Sequence, residues 1–110
     1  MGAIVIRKAF MMEVQPGKID AYEKSHNPIW PEMHAVLKQH GLHNYSIFHD
    51  AGTNIMFGYL EIEDEAMLAK LADIPVCHKW WRHMLEYLVA DDPASGKARE
   101  RPMREVFHMD

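Results

Sequence analysis

Residues 44–62, NYSIFHDAGTNIMFGYLEI, decide the fold. Asp50-Ala51-Gly52-Thr53 in the middle is turn chemistry, flanked on each side by alternating apolar residues, so the stretch reads as a β-hairpin. Its first strand, Asn44 to His49, places Tyr45 and Ile47 on one face and Ser46 and Phe48 on the other. The second, Asn54 to Ile62, places Met56, Leu60 and Ile62 on one face and Ile55, Phe57 and Tyr59 on the other. A half-buried strand is apolar on one face only. Here both faces ask for cover.

Upstream, Ile4 to Val14 alternates with period two: Ile4, Ile6, Phe10, Met12 and Val14 share a face interrupted only by Lys8, which predicts a strand. Pro16-Gly17 ends it. Helical spacing then takes over, and Pro28 and Pro31 split it into pieces over 18–26 and 31–40 with a bend at His26-Asn27-Pro28. Gly41 stands where a helix end favours a left-handed residue. Downstream of the hairpin, 64–88 is helical and broken at Pro75, and 91–96 is a loop by composition. Met103 to Met109 alternates again and reads as a last strand. The order is βαββαβ, an α+β, ferredoxin-like antiparallel sheet with its helices on one face. The uncovered face predicts a second subunit packed sheet to sheet.

The chain has 110 residues, 48% hydrophobic and 25% charged, which suits one domain with one core and excludes disordered, collagenous and disulfide-rich classes. The single cysteine, Cys77, has no intrachain partner and reads as a buried apolar side chain. The N-terminal residues do not resemble a signal peptide, and no apolar run approaches the roughly 20 residues that span a bilayer. The expected setting is a reducing cytoplasm without membrane association. Twelve Lys and Arg against sixteen Asp and Glu give a net charge of −4, which argues against nucleic acid as a partner. The one basic cluster, Lys97, Arg99, Arg101 and Arg104, is interleaved with Glu100 and Glu105 and reads as a solvated loop. Protonating all eight histidines would swing the charge from −4 to +4.

No phosphate-binding glycine loop, nucleophile elbow or zinc-type cysteine pair is present, which leaves histidines and aromatics. Gly41 separates His40 from His43 and the spacing of His78 and His83 suits no shared helix face, so these four read as surface or capping groups rather than metal ligands. His26 follows Tyr22 by one helical turn and sits where prolines stop the helix. It is either a satisfied core histidine or a group placed for chemistry. Trp80 and Trp81 diverge by about 100° on a helix. Both could be core, or one could line a cavity, where an indole suits the apolar face of a sugar.

The chain resembles the L-rhamnose mutarotase family in RKAF at 7–10, Tyr22, HNPIWPE at 26–32, HGLHNYSIF at 40–48, VCHKWW at 76–81 and EVF at 105–107. The matching blocks span almost the whole chain in order. The resemblance implies a ferredoxin-like homodimer of the dimeric α/β-barrel type that interconverts the α and β anomers of L-rhamnose. His26 would be the catalytic proton donor, and Tyr22, Tyr45, Trp80 and Trp81 would bind the sugar, L-rhamnose or a related 6-deoxy sugar. No metal or other cofactor is implied. The matched positions include no Arg or Lys in these site roles, so a neutral sugar is expected rather than a sugar phosphate.

Mutarotation needs a proton delivered to the ring oxygen and another taken from the anomeric hydroxyl. A histidine, with an ordinary pKa of about 6.5, can donate and accept near neutrality. The expectation is that His26 serves the ring oxygen, with a tyrosine hydroxyl or a water serving the anomeric hydroxyl. The rival reading is a non-catalytic small-molecule-binding or monooxygenase-like dimer of the same fold, since fold alone decides nothing.

Overall fold

The computed structural model describes residues 5–110. Its sheet has four antiparallel strands: β1 (Ile6–Glu13), β2 (Leu42–Asp50), β3 (Ile55–Ile62) and β4 (Arg101–Met103), in the order β2-β3-β1-β4. This is the small α+β arrangement expected of βαββαβ connectivity. Ile4, expected at the start of the first strand, lies outside the described residues.

Alternation along β1 is as the sequence implies: Phe10, Met12 and then Val14 are buried. Lys8, the exception on that face, stays near the strand's start and reaches Glu65, its Nζ 2.8 Å from the carboxylate. A lysine tolerates this position because its stem can lie along the sheet while its charge remains outside. On β3 the buried set is Met56, Gly58, Leu60 and Ile62, and Phe10 pairs directly opposite Gly58.

The glycine is required there. A Cβ on residue 58 would lie 2.3 to 2.7 Å from the Phe10 ring. Gly58→Ala must therefore push a buried aromatic aside, and overpacking of this kind costs about 1–3 kcal/mol. Urea unfolding should show that loss at an unchanged m-value.

Between β1 and β2 lie α1 (Ile19–Ser25) and α2 (Pro31–Gln39), with the chain bending between them at residues 26–30. Pro31 opens α2 at its first position, where a missing N–H costs nothing. Gly41, just past the end of α2, has φ +79°. After β3 come α3 (Glu65–Lys70), a 3₁₀ turn at Leu71–Asp73 and α4 (Pro75–Met84). Asp64 caps α3, accepting from the Ala66 and Met67 backbone N–H groups at 2.6 and 3.3 Å. The buried residues of α4 are Val76, Cys77, Trp80 and Met84, a helical stripe. They join Tyr22, Met33 and Leu71 in one core with the inner face of the sheet.

The final strand differs from its expectation. Only Arg101–Met103 pairs, with Ala9, Phe10 and Met11 of β1, and residues 104–110 form no strand. Pro102 has no N–H to give a ladder, so β4 is confined to an edge. Beyond it the alternating side chains meet no strand among the described residues: Val106, Phe107 and Met109 are 77–79% exposed. Arg7 ties this segment back, donating to both Glu105 carboxylate oxygens at 2.8 and 2.9 Å.

Candidate functional site

A pocket open to solvent lies between the inner face of the sheet, α1 and α4. His26, Tyr22, Tyr45, Trp80 and Trp81 all line it. All five site residues expected from the sequence therefore meet in one place. Phe10, Met12, Ile47, Met84 and Leu88 make its apolar walls.

Each of these side chains has a local reason for its position. Asn27-Pro28 cannot continue α1, so the helix ends at Ser25 and His26 becomes its C-cap. Tyr22 lies one turn earlier on the same face, its ring centroid 4.4 Å from that of His26. The His26 backbone N–H turns to the Glu23 carbonyl at 3.1 Å. Side chains occupy the Tyr22 carbonyl instead: Ser25 Oγ donates to it at 2.6 Å, and His26 Nδ1 lies 3.0 Å away. The same Nδ1 is 3.0 Å from Ser25 Oγ.

Tyr45 depends on a β-bulge. His43 pairs with Glu61 and Ser46 with Tyr59, so two residues of β2 stand opposite one of β3. Leu42 and Tyr45 are an odd number of residues apart and would point to opposite faces of a regular strand. The bulge puts both on the helix side, Leu42 in the core and Tyr45 in the pocket. Asn44 absorbs the distortion with φ +48° and donates through Nδ2 to Glu61 at 2.9 Å. The Tyr45 ring packs edge-on to Phe10, centroids 6.1 Å apart.

On α4, Trp80 is 5% exposed and boxed by other rings. His26 and Trp30 lie near-perpendicular to it at 5.0 and 4.9 Å, and His83 lies tilted at 6.0 Å. Trp81 is half-buried, with its ring covered by Lys97 Nζ at 4.5 Å from the centroid. Core-filling and cavity-lining are thus not alternatives for this pair, since both indoles reach the pocket.

The basic cluster is solvated as read, with Lys97, Arg101 and Arg104 exposed, but part of its loop also reaches the pocket mouth. Lys97, Ala98 and Glu100 line the pocket. The loop is tied down behind them: Arg99 bridges Glu13 at 2.7 Å and Asp91 at 3.1 Å, and its backbone N–H bonds to the Val89 carbonyl at 3.0 Å. A cation, Lys97, therefore stands at the pocket mouth, outside the matched site residues, which include none. Only the interleaving of opposite charges in this stretch hinted at such pairing. The other histidines stay out of the pocket. His40 Nδ1 donates to the Val36 carbonyl at 2.8 Å as a helix cap, His43 pairs with Glu63 and His78 meets the Ala72 carbonyl. Among the described residues, no three His, Cys, Asp or Glu side chains gather as metal ligands would.

The electrostatics give the pocket one acceptor and two donors. Burial pushes the His26 pKa below its usual value; the hydrogen bond with the Tyr22 carbonyl opposes this in part, and the His83 charge adds to it. The ring is thus neutral at pH 7. Burial raises both tyrosines: Tyr22 with help from the Glu100 charge, Tyr45 with help from Tyr22 and Glu100. Although 41% of the Tyr45 surface is open, its hydroxyl is the desolvated end. Both phenols keep their protons and can donate.

The sequence pattern of the L-rhamnose mutarotase family matches residues 7–109. An L-rhamnose mutarotase of Oceanobacillus iheyensis is 51% identical, over 94% of this chain and 98% of its own. One of Escherichia coli O127:H6 is 43% identical, over 96% and 99%. In structure, the chain is similar to an L-rhamnose mutarotase from Formosa agariphila, with a TM-score of 0.84 and 31% identity over 96% of this chain and 99% of that one.

Proposed function

The chain belongs to the L-rhamnose mutarotase family, and from that premise we propose that it interconverts the α and β anomers of L-rhamnose with His26 as the proton-transfer residue. The observation that carries this reading is the convergence of His26, Tyr22, Tyr45 and the two indoles on one pocket. The rival, a non-catalytic or monooxygenase-like dimer, has no observation in its favour.

A neutral His26 receives a proton before it can give one. Its first task is therefore the anomeric hydroxyl rather than the ring oxygen. As the hydroxyl proton moves to the imidazole, the anomeric carbon–ring oxygen bond breaks and a carbonyl forms. The ring oxygen takes its proton from a tyrosine hydroxyl or a water. The aldehyde end rotates, and the former ring hydroxyl attacks its other face and returns its proton to the tyrosinate or hydroxide left by opening. Imidazolium gives its proton to the carbonyl oxygen as it becomes the new anomeric hydroxyl. The proton-donor role implied by the family resemblance belongs to this second half. Trp80, Trp81 and the apolar walls suit the carbon-rich face of a 6-deoxy sugar. Two-dimensional exchange NMR on L-rhamnose tests the whole reading. Cross-peaks between the two anomers should strengthen when the protein is added; no increase at any concentration would overturn it.

We further propose that the protein works as a cytoplasmic homodimer. Phe48, Phe57 and Met103 are 66%, 41% and 41% exposed on or beside the outer sheet face, and a second sheet would cover them. Sedimentation should give twice the 12.8 kDa chain mass at micromolar concentration. A monomer under those conditions would refute the assembly. A reducing compartment suits a chain whose one cysteine, Cys77, is fully buried. Among the described residues no helix is long and apolar enough to cross a membrane.

A further inference from the structure

The premature end of α1 has a chemical consequence at His26. In a continuing helix the Tyr22 carbonyl would accept from the backbone N–H of residue 26. Here that N–H bonds to Glu23 at 3.1 Å, and the Tyr22 carbonyl is left to side chains. His26 Nδ1 lies 3.0 Å from it. A carbonyl oxygen can only accept, so Nδ1 must carry the hydrogen. Ser25 Oγ, 3.0 Å from the same nitrogen, spends its own hydrogen on the Tyr22 carbonyl at 2.6 Å. It therefore has only lone pairs to offer Nδ1 and acts as a second acceptor. Two acceptors on one side of the ring fix the neutral tautomer.

We propose that Ser25 is a positioning residue which, with the Tyr22 carbonyl, holds neutral His26 as its Nδ1–H tautomer and so makes Nε2 the atom that exchanges protons with the sugar. This rests on the proposed mutarotase reaction for its purpose, but the tautomer itself belongs to the free protein. The alternative tautomer would carry hydrogen on Nε2 and leave a lone pair on Nδ1 facing the Tyr22 carbonyl lone pairs. It would present the sugar with a donor where the first step needs an acceptor. Triads that orient a catalytic histidine use the same logic, with a carboxylate in place of these two oxygens. A neutral pair of acceptors suits His26 better, because it fixes the hydrogen without supplying the full negative charge that would hold the ring protonated.

The test is long-range proton–nitrogen NMR on protein with labelled histidine, without sugar and well above the titration of the ring. The His26 signal is identified as the one missing from His26→Gln. The wild type should show the hydrogen on Nδ1. Ser25→Ala should shift part of the population to the Nε2–H form and slow anomer exchange about twofold to tenfold, the usual worth of one hydrogen bond. Half-saturating L-rhamnose should not change. Ser25→Thr, which keeps the hydroxyl, should restore both tautomer and rate. An Nε2–H tautomer in the wild type would overturn the proposal, whatever the variants do. A Ser25→Ala enzyme that slows with its tautomer unchanged would overturn it too, since the serine would then be merely structural. Failure of L-rhamnose exchange in a protein with the Nδ1–H tautomer would instead count against the mutarotase reading, leaving the clamp intact.

Discussion

His26→Ala should exchange L-rhamnose anomers about 10²- to 10⁴-fold more slowly than the wild type, the usual worth of general acid–base catalysis. His40→Ala and His43→Ala should keep the wild-type rate, because those rings cap α2 or pair with Glu63 outside the pocket. Saturation of the intrinsic fluorescence by sugar should survive in His26→Ala, separating lost chemistry from lost binding. The wild-type pH profile carries the same assignment. Burial lowers the His26 pKa, and the step needs the neutral ring, so the rate should be full at pH 7 and fall in acid with a midpoint below the ordinary value of about 6.5. His83, stacked on Trp30 with centroids 5.4 Å apart, lowers the His26 pKa in the same direction. Stability follows the same sign. A ring whose pKa is depressed in the folded state contributes stability above its unfolded pKa, and loses it as pH falls through the folded one. An exchange rate unaffected by His26→Ala, or an acid limb centred above 6.5, would remove His26 from the chemistry.

The sequence made the elements legible where punctuation was strong. Pro28, Pro31 and Gly41 mark the break and the ends of the first helical region, and α1 and α2 lie within those bounds. Asp50-Ala51-Gly52-Thr53 marks the hairpin, and the β2–β3 pair surrounds it. The last strand was not legible, because alternation in Met103 to Met109 reports a preference for pairing and not whether a partner exists. Within this chain β4 meets β1 over three residues. Tyr45 shows a subtler limit. Its pairing with Ile47 on one face could be read from the alternation, but its arrival beside buried Leu42 depends on a bulge, for which Asn44 is the only local sign. Lys97 and Glu100 were invisible as pocket residues for a different reason. They reach the mouth through contacts distant in sequence, above all the Arg99–Glu13 ion pair, and loop composition carries no such information.

The tryptophan pair should divide by substitution into a stability residue and a binding residue. Trp80 is 5% exposed and has rings on several sides, with Trp30 and His26 at 4.9 and 5.0 Å. Trp80→Ala removes the largest side chain of α4 from the core, and truncations of this kind cost about 3–5 kcal/mol. For a domain that typically has 5–15 kcal/mol in all, this is a large fraction. Denaturant unfolding should show it. Trp81 is only half-buried at the margin of the core, and its ring meets Lys97 and, near-perpendicular at 5.4 Å, His78. Trp81→Ala should therefore leave the fold much more stable than Trp80→Ala does. Its cost should appear in the sugar, with half-saturation raised about tenfold for the loss of one aromatic contact. Fluorescence of the gentler variants separates the rings: Trp81→Phe should abolish most of the response to L-rhamnose, and Trp80→Phe should retain it. The opposite pattern, a silent Trp81→Phe and a binding defect confined to Trp80, would mean that the sugar lies against the His26 side of the pocket alone, with Trp81 serving only as a seat for Lys97.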